Sequence, residues 1–183
     1  MDGNIFQKVM QMLTGSSGEL LSPIPKAREK ISTEPAPKPA PDYKKAIEEG
    51  FKHWGDVPAS KYADKFVEAI NKYPIFKQYP FMLPALSILE TSGGAKMKQE
   101  HNILNWGIHL PKGYFNPQSP KEVIDKAASG IASRMPYYDQ FRKSGDLLDF
   151  ANVYAPLTDN PETGGHVYAQ NLKSVMDEFA KYL

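Results

Sequence analysis

A chain of 183 residues with 41% hydrophobic and 23% charged residues has the make-up of a soluble globular protein, long enough for one cored domain and an extension. Its 22 basic and 21 acidic residues leave a net charge of +1, so composition offers nucleic acid no electrostatic foothold and none is expected as a partner. It contains no cysteine, which excludes disulfides, thiolate metal sites and cysteine nucleophiles and leaves the redox compartment open.

The first residues, Met1-Asp2-Gly3-Asn4, lack the basic start and long apolar region of a secretory signal. No apolar run reaches transmembrane length. Ile5, Phe6, Val9, Met10 and Leu13 share one helical face before Thr14-Gly15-Ser16-Ser17-Gly18 breaks the pattern. Residues 1–18 therefore read as a short amphipathic helix that docks, through residues 4–13, on a partner protein, a membrane interface or its own domain. Residues 19–42 follow as a linker. From Leu21 to Pro41 it holds six prolines, with Pro35-Ala36-Pro37-Lys38-Pro39-Ala40-Pro41 at its end, a composition that extends and cannot bury a core.

Residues 43–183 form the globular domain, and its signals are mainly helical. Helices are expected over Tyr43–Trp54 and Lys61–Tyr73, the second with an apolar stripe of Tyr62, Phe66, Val67, Ala69 and Ile70. A third should run over Met82–Glu90, where Pro84 is tolerated in the first turn. Ser119-Pro120-Lys121-Glu122 is a helix start with a serine cap, a proline at the first position and a glutamate in capping-box place. The helix it opens should bury Val123, Ile124, Ala127, Ala128 and Ile131. Asp146–Val153 and a last helix from Val167, carrying Tyr168, Leu172, Val175, Phe179 and Leu183, complete the helical set. Strand signals are confined to Trp106–Leu110 and Gly113–Phe115, which suggests a small hairpin. No internal repeat is evident.

Glu90 ends the apolar run Phe81-Met82-Leu83-Pro84-Ala85-Leu86-Ser87-Ile88-Leu89 and is followed by Thr91-Ser92-Gly93-Gly94. A carboxylate at the end of a buried helix is disfavoured in its charged form, and adjacent glycines permit a polymer to approach the backbone. Those are the needs of a general acid; a helix with a glycine cap and a solvated Glu90 is the plainer alternative. Beyond it stand His101-Asn102-Ile103-Leu104-Asn105-Trp106-Gly107-Ile108, then Tyr154-Ala155-Pro156, Asn160-Pro161 and two glycines before the closing helix. This order resembles the glucosaminidase branch of the lysozyme-like superfamily, over roughly residues 60–183. That family cleaves bacterial cell-wall peptidoglycan.

The resemblance implies a lysozyme-like, α-rich domain with a reduced β-lobe. It implies a glycosidase acting on β-1,4 bonds of peptidoglycan glycan strands, N-acetylglucosaminidase-type, with no cofactor and no metal. Glu90 would be the general acid, and Tyr154 would face it and support the transition state. Ser92, Asn102, Asn105, Trp106 and Tyr168 would bind substrate. Structural roles stay open beside these: Asn102 and Asn105 as turn caps, Trp106 and Tyr154 as core, and Tyr168 in the stripe of the last helix. A wall enzyme with a tether and no leader in the given sequence fits a phage-encoded, virion-associated or lysis-released lysin acting at the bacterial wall, with a leader removed beforehand or a bacterial protein exported by another route as the alternatives. Residues 4–13 would then meet a virion component.

Glycoside hydrolysis ordinarily asks for a second carboxylate. Glu100, Glu122, Asp125, Asp159 and Glu162 follow Glu90, and the sequence selects none of them. The substrate's own acetamide can replace it, or the muramic C6 hydroxyl can attack internally, as in a lytic transglycosylase. The Gly-Leu-Met-Gln-like signature of transglycosylases is missing here, where Asn105-Trp106-Gly107-Ile108 stands. A transglycosylase, a muramidase, and a non-catalytic glycan-binding or structural virion module remain the rivals. His53, His101, His109 and His166 show no metal-ligand spacing, and there is no nucleophile elbow, P-loop or dinucleotide fingerprint.

Overall fold

The computed structural model describes residues 40–107, 115–155 and 164–183. Over these residues the helical spacing of apolar side chains becomes a mainly helical fold, with no strand among the described residues. The expected docking helix and nearly all of the proline-rich linker lie outside the described residues. So do residues 108–114, the centre of the expected hairpin; its described ends, Trp106, Gly107 and Phe115, are turn or irregular.

Helix α1 (Tyr43–His53) starts where the Asp42 side chain accepts from the Lys45 amide at 3.0 Å, satisfying one orphan donor of the first turn. A 3₁₀ turn (Pro58–Tyr62) leads into α2 (Ala63–Lys72), so the expected second helix is divided at Tyr62. Then come α3 (Pro74–Gln78) and α4 (Met82–Thr91). Helix α5 (Pro120–Ser129) runs on through a π turn (Gly130–Arg134) and a 3₁₀ turn (Pro136–Tyr138) into α6 (Asp139–Ser144). Helices α7 (Leu147–Tyr154) and α8 (Gly164–Ala180) close the order.

At the start of α5 the Ser119 hydroxyl accepts from the Glu122 amide at 3.3 Å. The Glu122 carboxylate accepts from the Gln118 amide at 2.9 Å, so the capping box reaches one residue further out than the sequence suggests. Helix α7 is capped by Asp146, which accepts from Leu148 at 2.8 Å. The π turn leaves carbonyls that no helix partner satisfies, and Arg142 of α6 donates to two of this region, Ile131 at 2.6 Å and Met135 at 3.0 Å.

Helix α8 packs on α7, α4 and α1. Its Phe179 meets Phe51 edge-on at 5.1 Å and lies parallel to Phe81 at 6.0 Å. Burying such a ring is worth about 2–3 kcal/mol. Gly50 makes the approach of α1 to α8 possible: a Cβ there would stand 2.1 Å from Phe179 Cδ1. Helix α5 packs on α2 and buries Val123, Ile124, Ala127 and Ala128. No helix among the described residues is long and apolar enough to cross a membrane.

Candidate active site

Helix α4 is apolar almost all round and is correspondingly buried from Met82 through Ile88. Pro84 falls among the first amides, which have no helical acceptor, so its missing N–H costs nothing there. The helix ends at Ser92, which adopts a left-handed conformation (φ 52°, ψ 47°) and donates to the Ile88 carbonyl. Half-buried Glu90 thus sits in the last turn, where the chain leaves the core.

The glycines that follow do not open the backbone to a ligand, contrary to the sequence expectation. Gly93 (φ +66°) and Gly94 (φ +92°) are both buried. A Cβ on Gly93 would stand 2.2 Å from Val57 Cγ2, and the Gly93 carbonyl accepts from Ala59 at 2.9 Å. They admit the protein's own 3₁₀ turn at Pro58–Tyr62. Thr91, read in the sequence only as a small neighbour, is the knot of this corner. Its Oγ1 lies 2.7 Å from the Ile103 carbonyl and 2.9 Å from that of Ser87, and accepts from the Gly94 amide at 2.7 Å.

Residues 101–107 are fastened to the corner by the two asparagines. Asn102 is 0% exposed. Its Oδ1 accepts from the Trp106 amide at 2.8 Å, and its Nδ2 donates to the Trp106 carbonyl at 2.9 Å and to Gln99 Oε1 at 3.2 Å. Asn105 takes a left-handed backbone (φ 46°) that asparagine tolerates. Its Nδ2 donates to the Glu90 carbonyl at 2.8 Å and its Oδ1 accepts from the Lys98 amide at 3.2 Å. Both side chains spend their polar atoms on the protein, as turn-formers do. These bonds position Trp106 and the Glu90 backbone.

The carboxylate of Glu90 is held by the last helix. Tyr168 Oη donates to Glu90 Oε1 at 2.6 Å. Tyr154, expected opposite Glu90, donates instead to the Leu104 carbonyl at 3.1 Å. Its ring lies parallel to Phe150 at 5.0 Å and near Tyr168 and Trp106 at 5.7 and 6.2 Å. Although part of each side chain reaches the surface, burial drives both phenols well above their ordinary pKa. The Glu90 charge adds to the upward shift of Tyr154, while for Tyr168 the neighbouring Tyr154 and then Glu90 follow burial as causes. Tyr168 is therefore a neutral hydrogen-bond donor at any physiological pH.

No protein-family model, curated protein or solved structure matches this chain.

Of the residues expected to act, Glu90, Tyr154, Tyr168, Asn105 and Trp106 are brought into one neighbourhood. Ser92 is half-buried and serves as the helix terminus. Glu100 carries a side chain 86% exposed beside His101, and Asp125 lies 3.9 Å from Lys65 on another face. Asp159 and Glu162 lie outside the described residues. Among the described residues Glu90 is the carboxylate whose charge acts on both phenols. No group of three histidine or acidic side chains among the described residues is placed to hold a metal ion.

Two volumes compete as the place where a ligand would lie. The larger, about 830 Å³, runs between α3, the turn before α7 and the outer face of α8, and includes none of the residues around Glu90. The smaller, about 370 Å³, is bordered by Asn105, Trp106 and Tyr154, of which Asn105 bonds the Glu90 carbonyl; Glu90 and Tyr168 themselves do not line it. Chemistry, not size, favours the smaller.

Proposed function

We propose that the protein is a peptidoglycan hydrolase that cleaves β-1,4 glycosidic bonds, N-acetylglucosaminidase-type, with Glu90 as proton donor. The observation that carries this reading is the grip of the Tyr168 phenol on the carboxylate that ends the buried helix α4, whose neighbours Asn105 and Tyr154 border an aromatic cleft. Protonating the leaving oxygen turns Glu90 into a carboxylate, and a neutral phenol already in place donates to it more strongly as that charge forms. Burial keeps the phenol protonated for this task. Tyr154 supports the arrangement from behind: its ring lies tilted against Tyr168 and its hydroxyl ties the Leu104 backbone.

The oxocarbenium-like centre still needs a partner. With Glu90 the charge common to both phenols, the substrate's acetamide is the proposed source of the stabilising oxygen. The site of action would be the bacterial wall, reached by a phage particle or by lysis, with residues 4–13 as the contact to a virion component.

Digestion of purified peptidoglycan by the parent and by Glu90→Gln, with products read by mass spectrometry, tests the reading. Loss of about 10²–10⁴-fold in rate for the variant is the size expected for a general acid. Reducing-end glucosamine marks the glucosaminidase, reducing-end muramic acid a muramidase, and an anhydro end a lytic transglycosylase. Wall binding by a parent that cleaves nothing would leave a glycan-binding module.

A further inference from the structure

Helices α2 and α5 leave a groove of about 660 Å³ between them, and it shares no lining residue with the cleft bordered by Asn105 and Tyr154. The whole chain carries a net charge of only +1, yet five cations and three carboxylates line this one groove. The carboxylates are already engaged. Glu68 pairs with Lys65, Asp125 lies 3.9 Å from Lys65, and Glu122 lies 3.8 Å from Lys126. Lys72, Lys121 and Arg134 line the groove, are exposed, and have no ion pair among the described residues. The positive excess is therefore local and uncompensated.

The placement of the cations says which anion fits. Lys65 and Lys72 stand seven residues apart on α2, about 10 Å along its axis. At the Lys72 end, α3 packs on the π turn that Arg134 closes. At the other end, Lys121 stands one helical turn before Asp125, the neighbour of Lys65. A single phosphate cannot touch both ends, whereas a chain that repeats an anionic group can. Between them, the exposed carboxylates of Glu68 and Asp125 repel a phosphate but accept from a hydroxyl. The lining thus matches negative groups that alternate with hydroxyl donors. Nucleic acid bases find no platform. Tyr73 is the one aromatic residue in the lining, and its half-buried ring is taken up by Phe76, edge-on at 6.1 Å, and by Lys72, 5.1 Å above it.

We infer that this groove binds a linear polyol phosphate, a polymer of phosphodiesters joined through hydroxylated carbon units. Lys72 and Arg134 hold one phosphate, Lys65 and Lys121 hold another, and Glu68 and Asp125 accept from the hydroxyls between. Bound to a wall that carries such a polymer, the protein would keep Glu90 close to the glycan. That use rests on the hydrolase reading; the binding itself does not.

Calorimetric titration of the full chain with poly(glycerol phosphate) tests the inference. Lys72→Gln combined with Arg134→Gln should weaken binding about 2- to 30-fold, the worth of two exposed charge pairs, and adding Lys121→Gln should weaken it further. Parent affinity should fall as salt rises, and the variants should respond less steeply. Lys52→Gln combined with Lys181→Gln, an equal loss of charge outside the groove, should leave binding unchanged. All these side chains are exposed, and unaltered helical circular dichroism checks that each variant is folded. Equal weakening by the control pair overturns the inference, and so does single-stranded DNA of matched charge binding as tightly as the polyol phosphate. Peptidoglycan cleavage by a chain that does not bind the polymer overturns the groove and leaves the hydrolase reading standing. Binding with the expected variant pattern in a chain that cleaves no glycan supports the groove and removes the enzyme. Neither binding nor cleavage overturns both.

Discussion

Asn102→Asp is an isosteric change with a large, calculable and pH-dependent cost. The replacement keeps the acceptor that meets the Trp106 amide at 2.8 Å but removes both donations, so the Trp106 carbonyl and Gln99 Oε1 each face a second acceptor. At neutral pH a carboxylate would stand where no surface is exposed. Full burial raises an acid by about 3–5 pK units. Only the part of that rise between the unfolded value, about 3.9, and the working pH counts at pH 7, so about three units act, or about 4 kcal/mol. The sign follows from a raised folded-state value. Stability is complete below the unfolded pKa and is lost as pH rises toward the folded one. Near pH 4 the protonated acid can donate to the Trp106 carbonyl, and the deficit should shrink to about 1 kcal/mol for the remaining lost bond. Urea unfolding of parent and variant at pH 7 and pH 4, followed by Trp106 emission in a Trp54→Phe background, measures both gaps. A deficit below about 1 kcal/mol at pH 7, or equal at the two pH values, would refute the claim that Asn102 is a fully internal bridge.

Tyr168→Phe should leave the fold intact and reduce peptidoglycan turnover about 10- to 100-fold, the worth of a hydrogen bond to a charged group; an unchanged rate would remove Tyr168 from the reaction. Burial raises the phenols of Tyr138, Tyr154 and Tyr168, so their protonated forms support the fold fully below about pH 10 and that support is lost as pH rises further. Spectrophotometric titration near 295 nm should show these three of the ten tyrosines ionising only together with loss of helical circular dichroism; three normal titrations in the folded protein would contradict the burial. Gly93→Ala should cost about 2–5 kcal/mol, from left-handed strain plus overpacking against Val57. Gly55→Ala shares the positive φ (+95°) but meets nothing within 4 Å, so thermal denaturation should rank it well above Gly93→Ala in stability.

The helices were legible where a periodic apolar face met a recognisable start. Ser119-Pro120 and Asp146 are both real caps, and the long last helix begins three residues before its first apolar signal at Val167. The short helices Pro74–Gln78 and Asp139–Ser144 show too little period to stand out in sequence, and Ile131, expected in the helix opened at Ser119, falls in the π turn Gly130–Arg134 that follows it. Around Glu90 the residue types were visible but their partners were not. An asparagine beside an aromatic residue looks the same in sequence whether it faces a sugar or a carbonyl, and only the bonds of Asn102 and Asn105 decide. Tyr168 fitted both the apolar stripe and a site role in sequence, and in the structure its ring lies against Tyr154 while its hydroxyl bonds Glu90. Thr91 and Tyr138 carried no signal at all, since each matters through a contact distant in sequence.

Glu90 and the tyrosine that grips it stand 78 residues apart in the chain. Closing a loop of that length costs entropy that no local contact repays, so such pairs form after the short-range helices are in place. The corner at Thr91 and residues 101–107 can be built from neighbours, whereas the carboxylate gains its phenol only when α8 docks. Folding that stalls before that docking would yield a compact helical species with Trp106 in place and Glu90 without Tyr168. Recovery of a native-like spectrum during refolding should accordingly precede recovery of a complete site.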